Sequence, residues 1–170
     1  YGTTLVEARL LGFNAIGVDV NGLSSLLSKV KSTPLSGDEL QEIEVFIKRI
    51  ESEQLAWLKK RPIIKVKEIE GLNHWFQYNV AEEITHILNF VNSLENENVR
   101  DFLRIVLSSI IVKVSNQESD TRFAARNKNI EDGFVFIQFI DKAKEYLTRI
   151  AEFSERANKD VSLTLLNADS

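Results

Sequence analysis

Apolar residues recur at helical spacing along most of this chain and run consecutively only near its two ends. Residues 3–11, TTLVEARLL, set Leu5, Val6, Ala8 and Leu10 among charges and predict a short helix, with Gly12 as its stop. FNAIGVDV, residues 13–20, is an apolar run of strand length that ends in a carboxylate. LSSLLSKVK, residues 23–31, returns to helical spacing through Leu23, Leu26, Leu27 and Val30. Helix, strand and helix in that order make half of a doubly wound α/β unit.

From Pro34 the pattern turns helical. Ser36 and Glu39 predict a capping box, and Leu40, Ile43, Ile47 and Ile50 carry the helix to about Lys60, before Pro62. The next stretch, IIKVKEIE, reads as a short strand or an extended connector. Asn79 and Glu82 predict a second capping box, opening a helix with Val80, Ile84, Ile87, Leu88 and Val91 on one face. Val99, Phe102, Leu103, Val106, Ile110 and Val114 mark a third helix, and Ile137, Ile140, Leu147 and Ile150 a fourth. A polar loop, SNQESDTRFAARNKN, separates those two, and VSLTLL at 161–166 reverts to a strand. The expected architecture is α/β with a large, mostly α-helical insertion. Residues 1–33 and 160–170 form the α/β part, and residues 34–159 the insertion.

Composition narrows the class. With 170 residues, 44% hydrophobic and 27% charged, the chain suits one soluble globular domain. It has no apolar run of the roughly 20 residues a membrane span needs, and no secretory leader pattern. Cysteine is absent, which excludes disulfides and thiolate metal sites and fits a cytoplasmic protein. A net charge of -4 argues against nucleic-acid contact over most of the surface and leaves room for a local basic patch. Methionine is absent too, and Tyr1 is not the small residue that follows a removed initiator. At the other end, Asn167-Ala168-Asp169-Ser170 follows directly on an apolar run, so a fragment cut at both ends is expected.

Gly2 lies at the entry to the first predicted helix, where a glycine lets a ligand approach the backbone and a helix N-terminus offers free N–H groups. Asp19 ends the next strand, 17 positions on. In doubly wound nucleotide folds an acid about 20 residues past the glycine turn accepts ribose hydroxyls. The alternative on these residues alone is an ordinary turn and a surface aspartate.

The wording of the stretch resembles the cofactor motif of the S-adenosylmethionine (SAM)-dependent N4-cytosine and N6-adenine DNA methyltransferases. Gly2, Thr3 and Thr4 match the end of that family's glycine turn, and Glu7-Ala8 its helix. Gly12 and Ala15-Ile16-Gly17-Val18-Asp19-Val20-Asn21 match the second strand and its acid. The likeness continues through HWFQYNVAEEI, RDFLRIVLSSIIVKVSN and SDTRFAARNKNI, similar to the segment one branch carries between its second and third strands.

The resemblance implies a class I methyltransferase (Rossmann-like) fold. It sets Gly2 to Thr4 against the methionine part of SAM, Asp19 on the ribose, and Val20 and Asn21 beside the adenine. Asp169 falls where the family reads the adenine amino group. The implied reaction moves a methyl group to an exocyclic amino nitrogen of a flipped base in double-stranded DNA, in the setting of restriction-modification. The sequence names no restriction or defence partner.

The chain departs from the family pattern in three ways. Tyr1 replaces a serine and Gly22 a proline. No Asp-, Asn- or Ser-Pro-Pro-Tyr motif occurs, the two prolines being Pro34 and Pro62. No catalytic residue is therefore assigned, and the chain by itself is expected to be inert. The alternatives are a non-catalytic helical interaction module and a methyltransferase acting on RNA or a small molecule.

Arg122, Arg126 and Lys128 are candidates for DNA phosphate contact, or else a solvated loop paired with Asp120 and Glu131. His74 and His86, twelve apart without thiolates or a tight carboxylate cluster, predict no metal site. Trp57, Trp75 and Phe76 are expected to anchor packing, and Glu42, Glu44, Glu51 and Glu53 to form a solvated helix face.

Overall fold

Two strands from opposite ends of the chain pair directly. In the computed structural model, which describes residues 2–119 and 121–167, β1 (Ala15–Asp19) lies parallel to β4 (Leu163–Asn167). Ala15 is opposite Leu163 and Asp19 opposite Asn167. Before β1 comes α1 (Thr3–Leu11), stopped by Gly12 at φ 79°, and after it α2 (Gly22–Ser32). Both helices pack with the sheet. The inward positions of β1 are Ala15, Gly17 and Asp19, half-buried, and a Cβ on Gly17 would meet Leu165 at 2.9 Å and Leu5 at 3.0 Å. Small residues on this face thus admit Leu5, which is buried on α1. The opposite face is open and apolar, with Ile16 70% and Val18 62% exposed.

The remaining elements are α3 (Gly37–Lys59), α4 (Leu72–Trp75), α5 (Tyr78–Asn92), α6 (Glu97–Val114), the antiparallel pair β2 (Gln117–Ser119) and β3 (Arg122–Ala125), and α7 (Phe134–Arg156). The described structure is therefore helix-dominated, with two small sheets. Its main core is built by α3, α5, α6 and α7, around fully buried Ile43, Ile50, Ile87, Leu103, Phe136 and Phe139. Trp57 belongs to this core and Phe76 packs against it, as expected of packing anchors.

Local signals set several helix starts. The Ser36–Glu39 capping box forms, Ser36 Oγ accepting from Glu39 N–H at 3.2 Å and Glu39 Oε2 from Ser36 N–H at 2.8 Å. The second expected box does not form. The helix begins two residues earlier, at Tyr78 with Gln77 as its cap, and Asn79 Nδ2 donates to Ile130 O at 2.9 Å and Asp132 Oδ1 at 3.1 Å, while Glu82 pairs with Arg61. Tertiary partners take both side chains that a local cap would use. The polar loop expected before α7 contains the β2–β3 hairpin, and IIKVKEIE is an extended connector rather than a strand.

Two further expectations are corrected. α2 buries Ser24, Ser28 and Ser32 rather than its leucines, and Leu23 is exposed. The acidic face of α3 is partly engaged, Glu51 with Lys144 at 2.6 Å and Glu53 with His86 at 3.1 Å. At the start of α7, buried Glu83 accepts from Gly133 N–H at 2.6 Å and Val135 N–H at 3.0 Å. Burial pushes this carboxyl above the usual carboxylate range, against the downward pull of those two N–H groups. No helix among the described residues is long and apolar enough to cross a membrane.

Candidate functional site

Asp19, Val20 and Asn21 stand at and just beyond the C-terminal end of β1. α1 runs into β1 through a tight turn closed by Phe13 N–H on Ala8 O at 2.8 Å and packs back on the strand, Leu5 standing against Gly17, two residues before the strand's C-terminal end. α2 begins at that same end. Ligands of open α/β sheets bind in this crevice, beyond the carboxyl ends of the strands.

Gly2 caps α1 with φ 77°, a left-handed conformation that suits glycine, and its carbonyl accepts from Leu5 N–H and Val6 N–H at 3.1 Å each. Among the described residues the N–H groups of Thr3 and Thr4 have no acceptor, and both residues are exposed. Their outward direction and the positive end of the helix dipole suit a carboxylate or other anion.

Asp19 is half-buried at the end of β1, and its Oδ1 accepts from Asn21 N–H at 2.9 Å. The second carboxylate oxygen has no partner among the described residues and is free to accept hydroxyls. Asn21 caps α2, its Oδ1 accepting from Leu23 N–H at 2.9 Å and Ser24 N–H at 3.2 Å, which leaves its amide N–H₂ as a donor. Val20 is 69% exposed and offers an apolar surface beside the acid. Asp169 lies outside the described residues. A ligand with a carboxylate, vicinal hydroxyls and a flat apolar ring fits this donor and acceptor set.

The hairpin site differs residue by residue. Arg122 is exposed and pairs with Glu118 at 3.3 Å. Arg126 is exposed, its side chain without a partner among the described residues, while its backbone N–H donates to Asn116 O at 2.6 Å. Lys128 donates to Val112 O at 2.9 Å, satisfying a carbonyl in the last turn of α6. The pairing expected with Asp120 lies outside the described residues. Sequence reasoning passed over another basic element, the run from Lys59 to Lys67 between α3 and α4, although its charge density is visible in the sequence. No group of three or more metal-ligating side chains occurs among the described residues, and His86 is engaged by Glu53.

No known family model matches the chain, and no solved structure matches it. Among curated proteins it is similar to the type II methyltransferase M.MvaI of Kocuria varians, with 27% identity over 123 residues, or 70% of this chain. The chain spans about a quarter of that relative's length, the match covering 27% of it.

Proposed function

We propose that this chain carries the cofactor-binding part of a SAM-dependent DNA methyltransferase, on a class I, Rossmann-like α/β unit with residues 34–159 as a helical insertion. The observation that carries the reading is the placing of Asp19 and the Asn21 cap of α2 at the carboxyl end of β1, on a strand that α1 covers through Leu5 and Gly17. Likeness to a type II methyltransferase over 70% of the chain supports it, as does the parallel β1–β4 pair that a doubly wound sheet requires.

In this reading the N–H groups of Thr3 and Thr4 hold the methionine carboxylate, and Gly2, whose Cβ position Ser28 fills, lets α1 pack close on α2 and present them. Asp19 accepts the ribose hydroxyls, Val20 packs on the adenine ring, and Asn21 donates at its edge. Asp169 would meet the adenine amino group. SAM supplies an electrophilic methyl group, and the acceptor is the N4 amino group of cytosine or the N6 amino group of adenine in DNA. Arg122 and Arg126 contact phosphates, while Lys128 braces the hairpin.

Titration calorimetry with SAM tests the reading. Asp19→Ala should weaken binding at least about tenfold, because a hydrogen bond to a charged group is worth about 1.5–3 kcal/mol. Equal affinity for both proteins would remove Asp19 from the site, and no affinity in the unaltered chain would defeat the cofactor assignment.

A further inference from the structure

The densest run of positive charge lies outside the hairpin. Lys59-Lys60-Arg61-Pro62-Ile63-Ile64-Lys65-Val66-Lys67 sets five cations in nine residues without an acid, in a chain of net charge -4. Beyond Lys59, which ends α3, this run is an extended connector. Two residues fasten it. Arg61 pairs with Glu82 and with Asp132 at 3.2 Å, and Ile64 packs against the helical core.

Past Ile63 the exposure alternates with the period of an extended chain. Ile64 and Val66 are half-buried, whereas Ile63, Lys65 and Lys67 are exposed. Successive outward residues of an extended chain stand roughly 6.6 Å apart. The side chains of Lys59, Lys60, Lys65 and Lys67 have no hydrogen bond or ion pair among the described residues. Four unneutralised ammonium groups on one strip repel one another, and a polyanion that neutralises them releases its own counterions in exchange.

The strip is not isolated. Beside it lies a groove of about 910 Å³, bordered by Lys65, Lys67, Asn73 and Tyr78 and, at its acidic end, by Glu68 and Glu70, with Tyr78 63% exposed. An aromatic face beside cations is how proteins hold nucleic-acid strands. The connector leads into α4, and α4 is bonded to the hairpin. Asn116 N–H donates to Trp75 O at 2.7 Å, Asn116 Nδ2 to His74 O at 3.3 Å, and Arg126 N–H to Asn116 O at 2.6 Å.

We propose that Lys59–Lys67 is an arm that contacts the phosphate backbone of DNA and, through α4, joins Arg126 in one phosphate-binding surface. This rests on the reading that the protein acts on DNA and extends it to a second element.

Fluorescence anisotropy with a labelled DNA duplex across a salt series tests the arm. The double substitution Lys65→Ala, Lys67→Ala should flatten the plot of log affinity against log salt by about 1.8, at about 0.9 for each lost phosphate contact. The same charge loss elsewhere, Lys48→Ala with Lys159→Ala, should leave the slope alone. All variants should melt as the unaltered chain does, since these side chains are exposed. DNA binding with an unchanged slope in the arm variant overturns the arm and leaves the DNA reading standing, as does an equal loss in the control pair. Absence of DNA binding by the unaltered chain overturns both, while SAM calorimetry judges the cofactor site separately. Vesicles of acidic lipid bound in place of DNA, and released by the arm variant, would reassign the strip to a membrane surface.

Discussion

Gly2 sits against the backbone of Ser28. A Cβ built on Gly2 would lie 2.9 Å from Ser28 Cα and 3.0 Å from its Oγ, closer than side-chain carbons approach backbone. The contact brings the start of α1 onto the middle of α2, and it explains why α2 buries Ser24, Ser28 and Ser32 where a leucine face was expected. Only small side chains permit two helices to meet this closely.

Gly2→Ala should therefore be disruptive on two counts, the clash with Ser28 and a left-handed φ of 77°. The conformation alone costs about 1–2 kcal/mol for a residue with a Cβ. Hydrogen exchange at the Gly17 amide, which faces β4, should quicken by about tenfold or more, since α1 and α2 cover the sheet, while amides of α6 keep their protection. Unchanged exchange in β1 would mean that α1 shifts without strain.

The hairpin cations should separate by role. Arg126→Ala should lower the salt slope of DNA binding by about 0.9 and leave stability unchanged. Lys128→Ala removes one of two side-chain donors to Val112 O, Ser115 Oγ being the other, and should instead lower stability by about 0.5–1 kcal/mol in a urea melt. A flattened slope with full stability in Lys128→Ala would return that residue to the phosphate surface.

Lys29 ties α2 to α6 and supplies a pH dependence. Hydrogen bonds to Asp101, at 2.8 Å, and to Glu97 raise its pKa above the ordinary lysine value of 10.5. A group whose folded pKa is raised stabilises the fold fully below its unfolded pKa and loses that contribution as pH climbs through the folded one. Lys29→Met should thus be less stable than the unaltered chain at neutral pH, by about 1 kcal/mol given solvent screening of a part-exposed lysine. The gap should close as pH rises beyond 10.5, where unmodified Lys29 begins to lose its proton. A gap constant to high pH would show that packing of the lysine stem, rather than its charge, holds the two helices.

What could be read from sequence followed the range of the interaction. The Ser36–Glu39 box was legible because both partners lie within one turn. The core face of α6 was too, with Val99, Phe102, Leu103, Val106, Ile110 and Val114 all buried as their spacing predicts. Asn79 and Glu82 have the same spacing as the first box, yet Asp132 and Arg61 claim them from distant parts of the chain. Ile137 suits a periodic face but is 44% exposed, because α7 turns Val135, Phe136 and Phe139 to the core instead. At the site, Asp19 could be placed from the end of an apolar run. The use of Asn21 as a cap and the bond of Lys128 to α6 depend on where chain ends and neighbours fall in space.

The uneven placement of the core leads to the last prediction. Phe136 is fully buried between α3, α5 and α7, touching Trp57 and His86, whereas Val18 is 62% exposed on the uncovered face of the β1–β4 pair. Phe136→Ala should cost about 3–5 kcal/mol in a urea melt, and Val18→Ala no more than about 0.5 kcal/mol. Two strands alone are marginal in water, so the helices must hold the chain together, and its circular dichroism should be mostly helical with a cooperative melt. Catalysis is a separate matter. Pro34 and Pro62 are the chain's two prolines and neither begins a Pro-Pro-Tyr sequence, the motif that the family resemblance would set against the target amino group. Labelled methyl transfer from SAM to DNA by this chain should stay at background even where SAM binds. Turnover above background would move the catalytic group to residues inside the chain, with the exposed acids and amides around Asp19 the first to be substituted.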